Sequence, residues 1–190
     1  MWGTFLNATE CFLFGKVCPL FLSFKKKKIL TFAYLCYKIN IVKIINNVNF
    51  INSVKVIGGD IVKTLILFSS RYGATEKCAK LIMKELRNNA EVINLKNGER
   101  KDIDNYDVIL IGGGVYAGKL QSEITKFIEA NEGCLRNKKV GVFLCCKESE
   151  KTAEYAKANL PDWLVNELFL LENTGYEINF ERMNFLEKFL

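Results

Sequence analysis

From Val62 onward the chain alternates short apolar runs with amphipathic stretches, and this alternation constrains its fold more tightly than any other feature. Strands that are apolar throughout, separated by segments of helical period, read as a parallel sheet covered by helices on both faces. The first run, Lys63 to Ser69, ends in a polar loop containing one glycine. A helix is expected from about Thr75 to Asn88, with Cys78, Leu81, Ile82 and Leu86 on one stripe. Ala90 to Leu95 reads as the second strand, and Lys96 to Asn105 as a loop with at most one helical turn. Asp107 to Gly112 reads as the third strand, closed by Gly112, Gly113 and Gly114; Ser122 is then expected to cap a helix carrying Ile124, Phe127 and Ile128. Lys139 to Cys145 reads as the fourth strand and Ser149 to Leu160 as a helix, which Pro161 separates from a fifth strand at Leu168 to Leu171. Phe180 to Leu190 reads as the opening of one more helix, so the last helix of the sheet is expected to be missing through C-terminal truncation.

A chain of 190 residues has room for one domain with a two-sided core and an extension. The first 61 residues show no steady period of 3.6 or 2. Their apolar run Phe12 to Phe24 is broken by Lys16 and Pro19, and falls short of the roughly 20 residues that cross a bilayer. No basic region precedes it and no small-residue cleavage site follows, as a signal peptide would require. Ile57 to Val62 can be encoded as ATA GGA GGT GAT ATT GTG, a ribosome-binding sequence just before a GTG start, and no methionine lies between Met1 and Met83. This reading sets the domain at 62–190, beginning at Val62, with 1–61 a non-native stretch; a disordered or membrane-associated extension is the alternative. The coding DNA decides between them.

Charge and side-chain chemistry remove several function classes. The formal net charge of +6 is carried entirely by residues 1–61, whereas 62–190 hold nineteen basic and nineteen acidic side chains. A neutral domain without a basic stripe argues against nucleic acid as a partner. With no histidine in the chain, the commonest metal ligand and the usual base of nucleophilic hydrolases are absent, and no metal site is expected. The seven cysteines show neither CxxC pairs nor the density of a disulfide scaffold, which fits a reduced, cytoplasmic setting.

The loop after the first strand, Ser69-Ser70-Arg71-Tyr72-Gly73-Ala74-Thr75, differs from a GxGxxG pyrophosphate loop: it has one glycine and several hydroxyls. Hydroxyls beside the free amides of a helix N-terminus suit a terminal phosphate. The same residues would also serve as an ordinary turn and cap.

Lys63 to Glu76 (KTLILFSSRYGATE) resembles the opening of flavodoxins, whose phosphate motif runs S/T-x-T-G-x-T. Ser70, Gly73 and Thr75 match it, while Tyr72 stands at the middle Thr position. Ser69, Arg71, Gly73 and Thr75, read as Ser-x-Arg-x-Gly-x-Thr, are similar to the flavodoxin-like menaquinone-dependent protoporphyrinogen dehydrogenases. The resemblance spans nearly all of 62–190. It implies a flavodoxin-like doubly wound sheet of strand order 2-1-3-4-5 with FMN at the carboxyl ends of its strands. The phosphate would lie in the loop Ser70, Arg71, Tyr72, Gly73, Ala74 and Thr75. The isoalloxazine would lie against Gly113, Gly114, Val115, Tyr116, Ala117 and Gly118, with Tyr116 stacking on it; an ordinary glycine turn with a surface tyrosine is the other reading. The family's third loop is Cys145-Cys146-Lys147-Glu148, whose backbone would border the pyrimidine end of the ring. Adjacent strand residues point to opposite faces, so Cys145 and Cys146 cannot both face it, and both read as packing residues.

Two function classes follow from the resemblance. One is an FMN-dependent oxidoreductase that takes electrons from a porphyrinogen and passes them to a quinone, with peripheral membrane contact and no integral span. Tyr176 to Leu190 resembles the start of an insertion those enzymes carry, although its aromatics and Met183 would also serve as plain packing. The other is a flavodoxin-type carrier serving a redox partner, which the neutral charge of 62–190 disfavours. A truncated, inactive relative is the third reading. No catalytic proton-transfer residue is assigned.

Overall fold

The computed structural model describes residues 40–48, 62–86, 90–98 and 102–176. Its central strands are apolar runs, for the reason the alternation implies. β1 (Thr64–Ser69) is buried at every position, and β5 (Lys139–Cys145) at every position after the first. Such strands are stable only with both faces covered. β2 (Ala90–Asn94), β3 (Val108–Tyr116) and β6 (Leu170–Asn173) complete a parallel sheet of order β2-β1-β3-β5-β6, and the two-residue β4 (Lys119–Leu120) pairs antiparallel with the end of β3. With β4 set aside, this is the expected order 2-1-3-4-5. β1 and β3 run side by side from Thr64↔Val108 to Ser69↔Gly113, and β3 and β5 from Val108↔Lys139 to Gly114↔Cys145.

The pleat divides the core in two. Leu65, Leu67, Ile109, Ile111, Val142 and Leu144 face Ile124 and Ile128 of α3 (Ser122–Ala130), Leu135 of α4 (Glu132–Leu135), Ala156 of α5 (Thr152–Asn159) and Leu164 of α6 (Asp162–Glu167). On the other face Ile66, Phe68, Leu110 and Phe143 meet Cys78, Ala79, Ile82 and Leu86 of α2 (Ala74–Leu86).

That second face also receives α1 (40–48), a helix within the segment read as an extension. Ile41, Ile44 and Val48 recur at i, i+3 and i+7, and all three are buried in the same cluster as Phe143 and Leu170. Asn40 Nδ2 donates to the carbonyl of Asn173, and Lys43 Nζ lies 3.8 Å from a Glu172 carboxylate oxygen, so the helix is tied to β6. The stretch Phe180 to Leu190, expected to open one more helix, lies outside the described residues.

Four local expectations are corrected. β3 does not stop at Gly112 but continues through the glycines to Tyr116. Those glycines lie in strand because their neighbours fill the space: a Cβ on Gly112 would stand 2.1 Å from Phe143 Cζ, and one on Gly113 would stand 2.2 Å from Leu120 Cδ2. Ser122 is the first residue of α3 rather than its cap. Gln121 holds the extended cap conformation and makes no side-chain cap bond, because its Oε1 accepts from Gly114 N instead at 3.0 Å. The stretch Ser149 to Leu160 divides into a 3-10 turn (Ser149–Lys151) and α5, and the fifth parallel strand shifts to Leu170–Asn173, with α6, capped by Pro161, lying before it.

Replacing Ile44 by Ala should lower stability by about 2–5 kcal/mol, as a large-to-small change in a packed core does. Val42→Ala, on the exposed side of the same helix, should change it by less than about 0.5 kcal/mol. Urea unfolding followed by circular dichroism measures both.

Candidate functional site

The chain leaves β1 at Ser69 and must turn within a few residues to start α2. Gly73 makes this possible with φ +95°, a conformation that side-chain-bearing residues rarely adopt. Ser70 Oγ accepts from Gly73 N at 3.0 Å, and Gly73 O accepts from Lys77 N at 3.0 Å to open the helix. Lys96 Nζ reaches across from beyond β2 and donates to Ser70 O at 2.7 Å. Thr75, in the first turn of α2, is 2% exposed. A buried hydroxyl, the Ser70 hydroxyl and the amides of a helix N-terminus therefore meet at one place.

β3 supplies the opposite wall. Gly114 lies beside Thr75: a Cβ there would stand 3.1 Å from Gln121 Nε2 and 3.6 Å from Thr75 Oγ1. Beyond it the strand turns back through Ala117 and Gly118, at φ +47° and +76°. This is the two-residue hairpin geometry in which both central residues are left-handed. Tyr116 packs on Tyr72 with ring centroids 5.0 Å apart, and the Arg71 guanidinium lies 5.1 Å from the Tyr116 centroid and 5.4 Å from that of Tyr72.

β5 ends between two thiols of opposite orientation. Cys145 belongs to the core of the α2 face, with Sγ 3.5 Å from Cys78 Sγ and 3.1 Å from Thr174 Oγ1. Cys146 belongs to the other face and donates to Glu148 O at 3.5 Å. The Cys145 thiol is pushed well above the ordinary thiol range by its hydrogen bond with Cys78 and by burial; burial also raises Cys146. Both remain protonated at neutral pH and unsuited to thiolate chemistry. Farther along, Tyr155 OH donates to Glu148 Oε2 at 2.5 Å, and Lys151 Nζ lies 3.1 Å from the same oxygen. The Tyr155 hydrogen bond, then Lys151, hold the Glu148 carboxyl below its usual value, so it is ionised.

These walls enclose two adjoining compartments at the carboxyl ends of β1, β3 and β5. The narrower, of about 30 Å³, takes Ser70, Arg71, Tyr72, Ala74 and Thr75 from the first loop, Gly114, Val115 and Tyr116 from β3, and Cys145 from β5. The wider, of about 250 Å³, takes Val115, Tyr116, Ala117, Gly118 and Cys146. Val115, Tyr116 and Tyr176 line both. Of the residues expected at the site, Gly73 and Gly113 line neither compartment: Gly73 shapes the loop and Gly113 packs against Leu120 and Ile124. Gln121 and Tyr176, and the side chain of Tyr155, were not anticipated. Gln121 gave no signal because only the short β4 brings it back to Gly114. Tyr155 follows Lys151 by one helical turn, and that spacing was the only clue to its facing the loop after β5. Among the described residues no group of three or more His, Cys, Asp or Glu side chains gathers as a metal site, and no helix is long and apolar enough to cross a membrane.

A doubly wound α/β domain whose cleft opens at the switch point between β1 and β3, with a hydroxyl-rich loop on one side and an aromatic turn on the other, is the class that fold and site define. The chain belongs to the flavodoxin domain family, whose model matches residues 65–190. It is 43% identical over 68 residues to an uncharacterized protein of Methanocaldococcus jannaschii, covering 35% of this chain and 44% of that one. It is 33% identical over 94 residues to Flavodoxin 1 of Salmonella typhimurium, covering 48% and 53%. It is 37% identical over 70 residues to protoporphyrinogen IX dehydrogenase [quinone] of Escherichia coli, covering 35% and 39%. The chain thus spans about half the length, or less, of these curated relatives.

Cys78, Cys145 and Cys146 should stay unalkylated by iodoacetamide in the folded chain while the partly exposed Cys134 is labelled. Raising the pH from neutral to about 8.5, where a free thiol is half ionised, should not expose the three to reaction. Peptide mass spectrometry after timed quenching reads the outcome, and labelling of Cys145 at the Cys134 rate would show the site to be open.

Proposed function

We propose that the domain binds FMN and serves as a flavin-dependent oxidoreductase, with the phosphate in the narrower compartment and the ring in the wider one. The observation that carries this reading is that the two compartments adjoin, sharing Val115, Tyr116 and Tyr176 in their linings, which suits a ligand with an anionic end and a flat end. The donor set fits. Ser70 Oγ accepts from Gly73 N, which leaves its own proton for donation to a phosphate oxygen. Thr75 Oγ1 and the first-turn amides of α2 add charge-assisted bonds, and Arg71 adds a fixed positive charge. Gly114 keeps the floor between Thr75 and Gln121 at backbone height, where a side chain would occupy the cradle. In the wider compartment Tyr116 and Tyr176 offer aromatic faces, and the Ala117–Gly118 turn offers backbone groups to a ring edge.

FMN, when bound, supplies the one- and two-electron chemistry itself. The residues of this chain orient it, and their hydrogen bonds and charges bias its potential. The ionised Glu148, fixed by Tyr155 and Lys151, disfavours additional negative charge in the wider compartment.

Among substrates we favour a porphyrinogen-type donor with a quinone acceptor. Support comes from the Ser-x-Arg-x-Gly-x-Thr spacing of Ser69, Arg71, Gly73 and Thr75 and from the 37% identity to the Escherichia coli dehydrogenase. Electron transfer to a protein partner is the second reading, favoured by the longer match to Flavodoxin 1. Anaerobic oxidation of protoporphyrinogen with a menaquinone analogue separates them: turnover supports the first, and a flavin-loaded protein that reduces only protein acceptors supports the second.

Thr75→Val should weaken FMN binding about tenfold to a hundredfold, the loss expected for one hydrogen bond to a charged group. Quenching of flavin fluorescence on titration measures it, and unchanged affinity would place the phosphate elsewhere.

A further inference from the structure

The turn that carries Tyr116 into the cleft is not self-supporting. β4 has only two residues, whose pairings are Val115↔Leu120 and Tyr116↔Lys119. A hairpin that short is marginal alone. Its turn also includes Ala117 at φ +47°, a left-handed conformation that its Cβ disfavours.

Two backbone groups of this hairpin are met by one side chain from a distant element. Asn159, the last residue of α5, accepts from Leu120 N through Oδ1 at 2.9 Å and donates from Nδ2 to Gly118 O at 2.8 Å. The second Nδ2 proton goes to Tyr155 O in its own helix at 2.9 Å, so both amide protons are engaged. Asn159 therefore continues the ladder of β4 where no further strand exists. Its helical neighbour one turn back, Tyr155, stands near Gly118, where a Cβ would lie 3.9 Å from Tyr155 Cε1.

We infer that Asn159 is the positioning residue of the flavin site: it holds Ala117 and Gly118 left-handed and thereby fixes Tyr116 and the turn backbone at the wider compartment. The inference rests on the FMN reading for its function and on the two hydrogen bonds for its geometry. A side chain that merely caps α5 would support the helix and leave the turn alone.

The test is a double-mutant comparison in the full chain. If Asn159→Ala leaves the competent turn about one-tenth populated, the apparent Kd for FMN rises about tenfold. Adding Ala117→Gly, which makes the left-handed turn accessible without help, should recover most of that loss. An unchanged Kd in Asn159→Ala, or an Ala117→Gly change that recovers nothing, would overturn the inference and leave Asn159 as a cap. Should Asn159→Ala melt below the titration temperature, Asn159→Asp serves in its place, because it keeps the acceptor for Leu120 N and opposes Gly118 O. Amide exchange of Leu120 without flavin is the independent arm. Faster exchange in Asn159→Ala supports the inference, and equal exchange overturns it. A wild-type chain that takes up no FMN refutes the flavin reading separately, since the Leu120 result does not depend on it.

Discussion

The pairing of β1 with β3 is the constraint on which the rest depends. Six consecutive residue pairs, ending at Phe68↔Gly112 and Ser69↔Gly113, bring the two strands to their carboxyl ends together. A slip of one residue would turn the β1 side chains to the wrong faces, removing Ile66 and Phe68 from α2 and Leu65 and Leu67 from α3. In register, the loop leaving β1 and the extension of β3 stand opposite each other, and Thr75 comes to lie beside Gly114. The cleft exists because the chain turns one way after β1 and the other way after β3. No loop folding on its own account would produce that opening.

The glycines after Ile111 show how packing and site are built from the same residues. Gly112 yields to the ring of Phe143, Gly113 to Leu120 and Ile124, and only Gly114 faces the cleft. The first two let β3 run past the point where a glycine cluster reads as a loop. That extra length carries Val115 and Tyr116 beyond the sheet and permits the β4 hairpin. Conformational freedom is not what Gly112 and Gly113 supply; they supply absent volume.

β1, β3 and β5 were legible because burial on both faces leaves an apolar run, whereas the strand order was an expectation of the family resemblance. The loop after β1 was legible because its residues are contiguous: Ser70, Gly73 and Thr75 fall within six positions and act through local backbone. Gln121 and Asn159 were not, since each acts across a tertiary contact that no spacing records. Gln121 resembled an ordinary residue before a helix, and its use on Gly114 N displaced the cap expected at Ser122. α1 was missed for another reason. Nine residues with three buried positions give too short a period to stand out in a stretch rich in Ile, Asn and Lys.

α1 links the edge of the sheet to the wall of the site. Its Asn40 donates to the carbonyl of Asn173, whose side chain is the knot of the adjoining loop. Asn173 Oδ1 accepts from Gly175 N at 2.8 Å and from Cys146 N at 3.5 Å, and Nδ2 donates to Cys146 O at 3.3 Å. Cys146 lines the wider compartment, and Tyr176, next after Gly175, lines both. On the same side Thr174 Oγ1 lies within hydrogen-bond reach of both Cys78 and Cys145, joining α2 to β5 beneath the narrower compartment. Polar networks this buried hold one geometry well and tolerate little shift. Through Asn40, the helix that buries Ile41, Ile44 and Val48 in the α2-side core is therefore joined to the loop that forms the rear wall of the cleft.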